Sequence, residues 1–88
     1  VAQVVWSRRA LADLIAIRAY IGQFSPIAAQ RMAQRLRSAG ESLADHAERG
    51  RLATATLREL TTLPPYVIRY HVDGSVVTIL RIRHAARL

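Results

Sequence analysis

The hydrophobic period of this chain changes once, from 3.6 residues before Arg51 to 2 after it. No other feature restricts the fold as much, because it sets a helical half against a stranded half. In the first half, Ala10, Leu14, Ile17, Ile21 and Phe24 recur at spacings of four and three, and Leu11 and Ile15 widen that seam. Ser7 supplies an N-cap oxygen ahead of it. Gly22 lowers helical propensity, and Ser25-Pro26 stops one helix and caps the next. The second helix is expected to carry Ala28 or Ala29, Met32, Leu36, Ala39 or Gly40, Leu43 and Ala47. Asp45 and Arg49 would form a pair four apart on it, and Gly50 would be its C′ residue. So short a turn between two amphipathic helices predicts an antiparallel hairpin. Ahead of it, Val1 to Trp6 is a β-branched run that reads as a strand.

In the second half, Thr56 to Leu63 reads as a strand that Pro64-Pro65 interrupts. Tyr66 to Val72 and Ser75 to His84 are strongly β, joined by Asp73-Gly74, a strong hairpin signal. A two-residue loop predicts that Val72 faces Ser75, Tyr70 faces Val77, Ile68 faces Ile79 and Tyr66 faces Arg81. Tyr66, Ile68, Tyr70, Val72, Val77 and Ile79 would then share one face, apolar enough to lie under the helices. The other face would hold Val67, Arg69, His71, Val76, Thr78, Leu80, Ile82 and His84. Trp6, Tyr20 and Tyr70 read as core residues.

At 88 residues there is room for one core, so residues 1–88 are expected to form a single domain. The predicted class is α+β: a strand, an antiparallel helical hairpin, then a three-stranded antiparallel meander, with both helices on one face of the sheet. Two helices cover one face only. Val67, Leu80 and Ile82 would therefore form an uncovered apolar patch, which a monomer seldom leaves in water without a partner. Such a patch would receive an amphipathic helix, its apolar stripe on Leu80 and Ile82 and its acids on the arginines.

Charge narrows the partner. All 13 basic residues are arginine, against 6 acids, for a formal net charge of +7. Arginine keeps its charge when desolvated and offers a planar fork to carboxylate or phosphate, so the partner should be polyanionic. There is no cysteine, which removes disulfides, thiolate metal sites and a cysteine nucleophile together. No apolar run approaches the ~18 residues of a membrane span, and the start carries no secretory pattern. A soluble, cytoplasmic domain without membrane contact is expected.

Acid–base catalysis needs two titratable groups at one substrate, and the histidines are not spaced for it. With His71 facing Val76, His84 would lie eight residues further along that strand, on the order of 27 Å away. No spacing of His, Asp and Glu builds a metal site, and no glycine-rich loop precedes a helix. Neither a cofactor nor a small-molecule substrate is indicated, and no catalytic residue is assigned.

The ordered wording resembles the RelE/ParE superfamily of toxin–antitoxin toxins, and the ParE branch within it. Trp6-Ser7 leads to Ala10, Asp13-Leu14, Ile17 and Tyr20-Ile21, and Gly50-Arg51 ends the helical half. Arg58-Glu59-Leu60 opens the next strand, Tyr66-Val67-Ile68-Arg69-Tyr70 leads into Asp73-Gly74, and Ile79-Leu80-Arg81-Ile82 runs to His84 and Arg87. The resemblance spans nearly the whole chain. It implies a toxin that poisons DNA gyrase without hydrolysis and is held by a ParD-like ribbon-helix-helix antitoxin with an acidic tail. Operator DNA would be reached only through that antitoxin. The RelE-like branch, which cuts mRNA on the ribosome, is the alternative. It places an arginine where this chain has Val67, and an aromatic beyond the last strand where this chain has only Leu88 after Arg87. A basic nucleic-acid-binding module is a third reading, weakened by few aromatics. The residues expected to contact antitoxin or target are Val67, Arg69, Leu80, Arg81, Ile82, Arg83, His84 and Arg87.

Overall fold

The computed structural model describes residues 1–87, and the side chains of residues 1–86. Strand β1 (Gln3–Trp6) leads into α1 (Arg8–Gly22) and α2 (Pro26–Glu41). A short strand β2 (Arg51–Leu52) then precedes β3 (Leu57–Leu63), β4 (Tyr66–Asp73) and β5 (Val76–His84). The strands form one five-stranded sheet in the order β1-β5-β4-β3-β2. β1 runs parallel to β5 and every other pair is antiparallel. The predicted class and element order hold, and β2 is an addition. A two-residue strand is too short to show a period.

Both helix starts follow from their caps. The Ser7 hydroxyl accepts from the Ala10 N–H at 3.0 Å, and Ser25 does the same for Ala28 at 3.1 Å, with Pro26 in the first turn of α2. Helix α2 ends earlier than its pattern suggests. A helix continuing past Glu41 would give the Ala44 carbonyl to Glu48, but that carbonyl accepts from the Ala2 N–H at 2.7 Å. The chain therefore leaves through a 3₁₀ turn, Ser42–Ala44, with Leu43 buried. The expected Asp45–Arg49 helical pair does not form, and Arg49 donates to the Ser42 hydroxyl at 2.6 Å.

Gly50 is not a left-handed cap; among the described residues only Gly74 has positive φ, at 57°. Its role is close approach. A Cβ at Gly50 would sit 2.6 Å from the Tyr70 hydroxyl oxygen. That hydroxyl accepts from the Gly50 N–H at 2.8 Å and donates to the Ala47 carbonyl at 2.6 Å. Burial pushes the Tyr70 phenol above its ordinary value, although the Gly50 N–H and neighbouring arginines oppose the shift. The phenol thus keeps the proton it donates.

The β4–β5 register differs from expectation twice. At the turn, Asp73 opposes Val76, Val72 opposes Val77 and Tyr70 opposes Ile79. This is a slip of two residues, which leaves the faces unchanged. Beyond it, Arg69 opposes Arg81, so Leu80 has no counterpart and forms a bulge. One extra residue swaps the faces of everything after it. Ile82 now opposes Ile68 and joins the core at 3% exposure, and His84 opposes Tyr66. Val67 is also buried, at 4%, and Leu80 is half-buried. The predicted open patch of Val67, Leu80 and Ile82 is therefore absent from the isolated chain.

The apolar surface lies on the helices instead. Ala10, Leu36, Leu43, Leu60, Ile68, Tyr70, Val77, Ile79 and Ile82 form the core, with Leu14, Ile17, Ile21 and Met32 packed against it. Leu11, Ile15 and Phe24, read as part of the seam, are 46%, 71% and 74% exposed, and Tyr20 is 60% exposed. The helical face that fits a single sheet is narrower than the apolar stripe.

Gly40 seats α2 on this core. A Cβ there would lie 2.5 Å from the Trp6 ring and 2.7 Å from Ile79 Cδ1. Gly40→Ala should destabilise the fold by about 1–3 kcal/mol through overpacking. Urea unfolding followed by the fluorescence of Trp6, the chain's one tryptophan, reads this directly.

Candidate functional site

β1 covers the edge of β5 only from Val76 to Ile79. Past that point the sheet edge needs other partners for its backbone groups. The start of α1 supplies them. The Ser7 N–H donates to the Ile79 carbonyl and the Ser7 hydroxyl to the Leu80 carbonyl, both at 2.9 Å. One turn further on, Asp13 Oδ2 accepts from the Ile82 N–H at 2.9 Å. The same carboxylate takes the fork of Arg81, Nε at 2.8 Å and Nη2 at 3.1 Å. Burial alone would push the Asp13 carboxyl up. Hydrogen bonds from Arg81 and the Ile82 N–H, with the charges of Arg81 and Arg83, outweigh it and hold the carboxyl below its ordinary value. Asp13 in turn raises the pKa of Arg81.

Between α1 and this last stretch of β5 lies an open groove of about 740 Å³. One wall is Asp13, Ala16, Ile17 and Tyr20; the other is Arg81, Ile82, Arg83 and His84, with Pro65, Tyr66 and Ala86 at the end. His84 meets Tyr66 edge-on at 5.7 Å, and its Nδ1 accepts from the Ala86 N–H at 3.2 Å. The imidazole is thereby fixed in orientation.

Four of the eight residues expected to contact a partner thus converge on the groove: Arg81, Ile82, Arg83 and His84. Ile82 enters through its buried side, and Arg81 is held internally by Asp13. Val67, Arg69 and Leu80 lie off the groove. The side chain of Arg87 falls outside the described residues. Asp13 and Tyr20 were missed as site residues. Asp13 had a legible signal, since it sits beside Ile17 and Ala10 at the margin of the apolar seam, where an acid needs a partner.

Arg69 belongs to a second charged cluster. Glu59, 6% exposed, accepts from Arg69 Nε at 2.9 Å and from Arg51 Nη2 at 3.2 Å. Arg58, its neighbour in sequence, has other partners. Arg58 turns away and donates to the carbonyls of Gly50 at 2.6 Å and Glu48 at 3.2 Å. His71 opposes Thr78, six residues from His84 along β5, which is roughly 20 Å. Among the described residues no group of three His, Cys, Asp or Glu could hold a metal ion. No helix among them is long and apolar enough to cross a membrane.

The Asp13 carboxylate stabilises the fold only while ionised. Its ordinary value is 3.8 and the folded value is lower, so its contribution is present above about pH 4 and is lost as pH falls through the folded value. Asp13→Asn should flatten the acid limb of the stability–pH curve, measured by urea unfolding at several pH values. Asp13→Ala, which also orphans the Ile82 N–H, should cost about 1–3 kcal/mol at pH 7.

Similarity to known proteins agrees with this architecture. Residues 4–88 match the family described as the ParE toxin of the type II toxin–antitoxin system, parDE. The chain is 74% identical over 87 residues to Toxin RelE2 of Caulobacter vibrioides, covering 99% of each. It is 36% identical over 80 residues to Toxin RelE3 of the same organism, covering 88% of this chain and 87% of that one. A solved structure, the chromosomal ParDE TA system from P. aeruginosa, superposes with a TM-score of 0.78 at 29% identity, covering 94% of this chain and 95% of the other. The chain belongs to the ParE toxin family of the RelE/ParE superfamily and is a toxin of a type II toxin–antitoxin system.

Proposed function

We propose that this toxin acts in the cytoplasm by inhibiting DNA gyrase, without hydrolysing a substrate, and that a ParD-like antitoxin with an acidic tail neutralises it. One observation carries the reading. Two arginines of the sheet, Arg69 and Arg81, already hold the carboxylates of Glu59 and Asp13. Phosphoryl-transfer catalysis needs cations preorganised toward the charge that develops in the transition state. A guanidinium committed to an internal carboxylate would have to break that pair first. Nor do His71 and His84 stand near each other for proton transfer.

The acidic antitoxin is supported by the net charge of +7 and by exposed apolar side chains on the helices. A tail of low apolar content, disordered when free, would order on such a surface and remain protease-sensitive until bound. Operator DNA would then be contacted by the antitoxin alone.

The RelE names of two relatives favour a second reading, ribosome-dependent mRNA cleavage. The two separate in one experiment. Purified toxin should inhibit gyrase supercoiling at stoichiometric concentration and leave ribosome-bound message intact. Cleaved message with unimpaired gyrase would transfer the protein to the RelE-like mode. Added cognate antitoxin should restore supercoiling.

A further inference from the structure

We infer that copies of this chain associate head to tail. The head is the outer end of the helical hairpin, and it docks on the opposite end of the next copy, where Glu48 and the exposed Leu52 border a hollow. The partner is a second copy of the chain, and the inference does not depend on the gyrase target proposed above.

Folding sorts the unpaired charges by sign. The side chains of Arg8, Arg9, Arg18, Arg31, Arg35 and Arg37 are exposed and make no hydrogen bond or ion pair among the described residues, and all of them stand on α1 or α2. The acids divide the other way. Asp13 and Glu59 hold arginines, and Glu41 accepts from the Trp6 indole N–H at 3.0 Å. The exposed side chains of Asp45, Glu48 and Asp73 have no such partner among the described residues, and none of the three lies on α1 or α2. They stand far from the hairpin tip. Tyr20 lines the groove with His84, the last residue of β5, whereas Asp73 lies just before β5 begins. Nine residues of strand separate the two ends by roughly 27 Å.

Each end also carries apolar surface. At the head, Tyr20 and Phe24 meet edge-on at 5.6 Å, and Phe24 and Ile27 are 74% and 66% exposed, with Arg18 and Arg31 on the adjoining turns. At the tail, Ala47, Leu52 and Val72 line an open hollow of about 320 Å³ with Glu48, and Leu52 is 60% exposed. Such patches on a small protein are the kind that a partner covers. Charge decides how two copies meet. Head against head would set arginine against arginine, and tail against tail carboxylate against carboxylate; like charges across an interface disfavour both. Only the heterologous contact brings opposite signs together, and it leaves a head and a tail open on every assembly, so the product is a growing chain of copies. The net charge of +7 does not forbid this, because the long axis of 40 Å is several times the Debye length of about 8 Å at physiological ionic strength. Repulsion between the bulk charges is screened over that distance, while pairs in contact are not.

Sedimentation velocity of the purified toxin at about 0.15 M salt, over concentrations up to about 1 mM, reads the association. The unaltered toxin should grow beyond a dimer as its concentration rises. Phe24→Glu disables the head and Glu48→Arg the tail, both at exposed positions. Each alone should weaken association about tenfold or more, with Val5→Glu, at an exposed position on β1 away from both ends, within about threefold of the unaltered toxin. An equimolar mixture of Phe24→Glu and Glu48→Arg should form one-to-one pairs and nothing larger, since it joins one intact tail to one intact head. Circular dichroism checks the fold of every variant, and Ile27→Glu and Asp45→Arg replace any that is unfolded. Unaltered toxin that stays monomeric to about 1 mM refutes the inference. Glu48→Arg toxin that associates like the unaltered chain, with Phe24→Glu monomeric, overturns it in favour of a two-fold contact between heads. A mixture that stays monomeric, or that grows beyond pairs, overturns it as well.

Discussion

A single carboxylate, that of Asp13, holds the two halves of this fold in register. It stands on the first helix and meets the last strand where the first strand has run out, satisfying the Ile82 N–H and the Arg81 fork together. Without it the outer half of β5 would present an unpaired edge, open to pairing with another chain. With it the helix is fixed against the strand at the distance that opens the groove. The scaffold contact and the candidate interface therefore share a residue. Ser7 acts alongside, capping α1 while its hydroxyl donates to Leu80.

The arginine-rich composition takes on a different meaning in the folded chain. A net charge of +7 suggests a surface of free guanidinium groups, yet several are spent internally. Arg81 holds Asp13, Arg51 and Arg69 hold the buried Glu59, and Arg58 ties down the carbonyls ahead of β2. Arg18, Arg31, Arg35 and Arg37 lie instead on a stretch of the helical hairpin, residues 14 to 40, that carries no acid. Arg51, Arg58, Arg69 and Arg81 on the sheet serve stability, whereas the exposed Tyr20, Phe24 and Ile27 lie on the helices and the turn between them.

Much of the fold was legible because local chemistry and global packing agree. Ser7, Ser25 and Pro26 mark helix starts that the structure keeps, and a hairpin forms at the predicted place, with Gly74 and Ser75 rather than Asp73 and Gly74 in its turn. Apart from the register at that turn, disagreement falls where distant contacts decide. The end of α2 depends on Ala2 reaching Ala44, a contact between residues 42 apart. Part of the site was legible too: Arg83 and His84 line the groove, whereas Tyr20 reads as core from its spacing and stands exposed.

By itself the sequence determined the class of fold, the order of elements, the helix N-caps and the sign of the surface, since each follows from neighbours within a few residues. Only the tertiary structure decided which face each strand residue takes beyond the bulge. The extra residue, Leu80, is a non-Gly residue within a continuous apolar-basic strand and carries no local mark. Because side chains alternate with a period of two, that one residue moves Ile82 from the expected open face into the core. The exposed apolar surface passes from the sheet to the helices, for a reason that lies in pairing between strands.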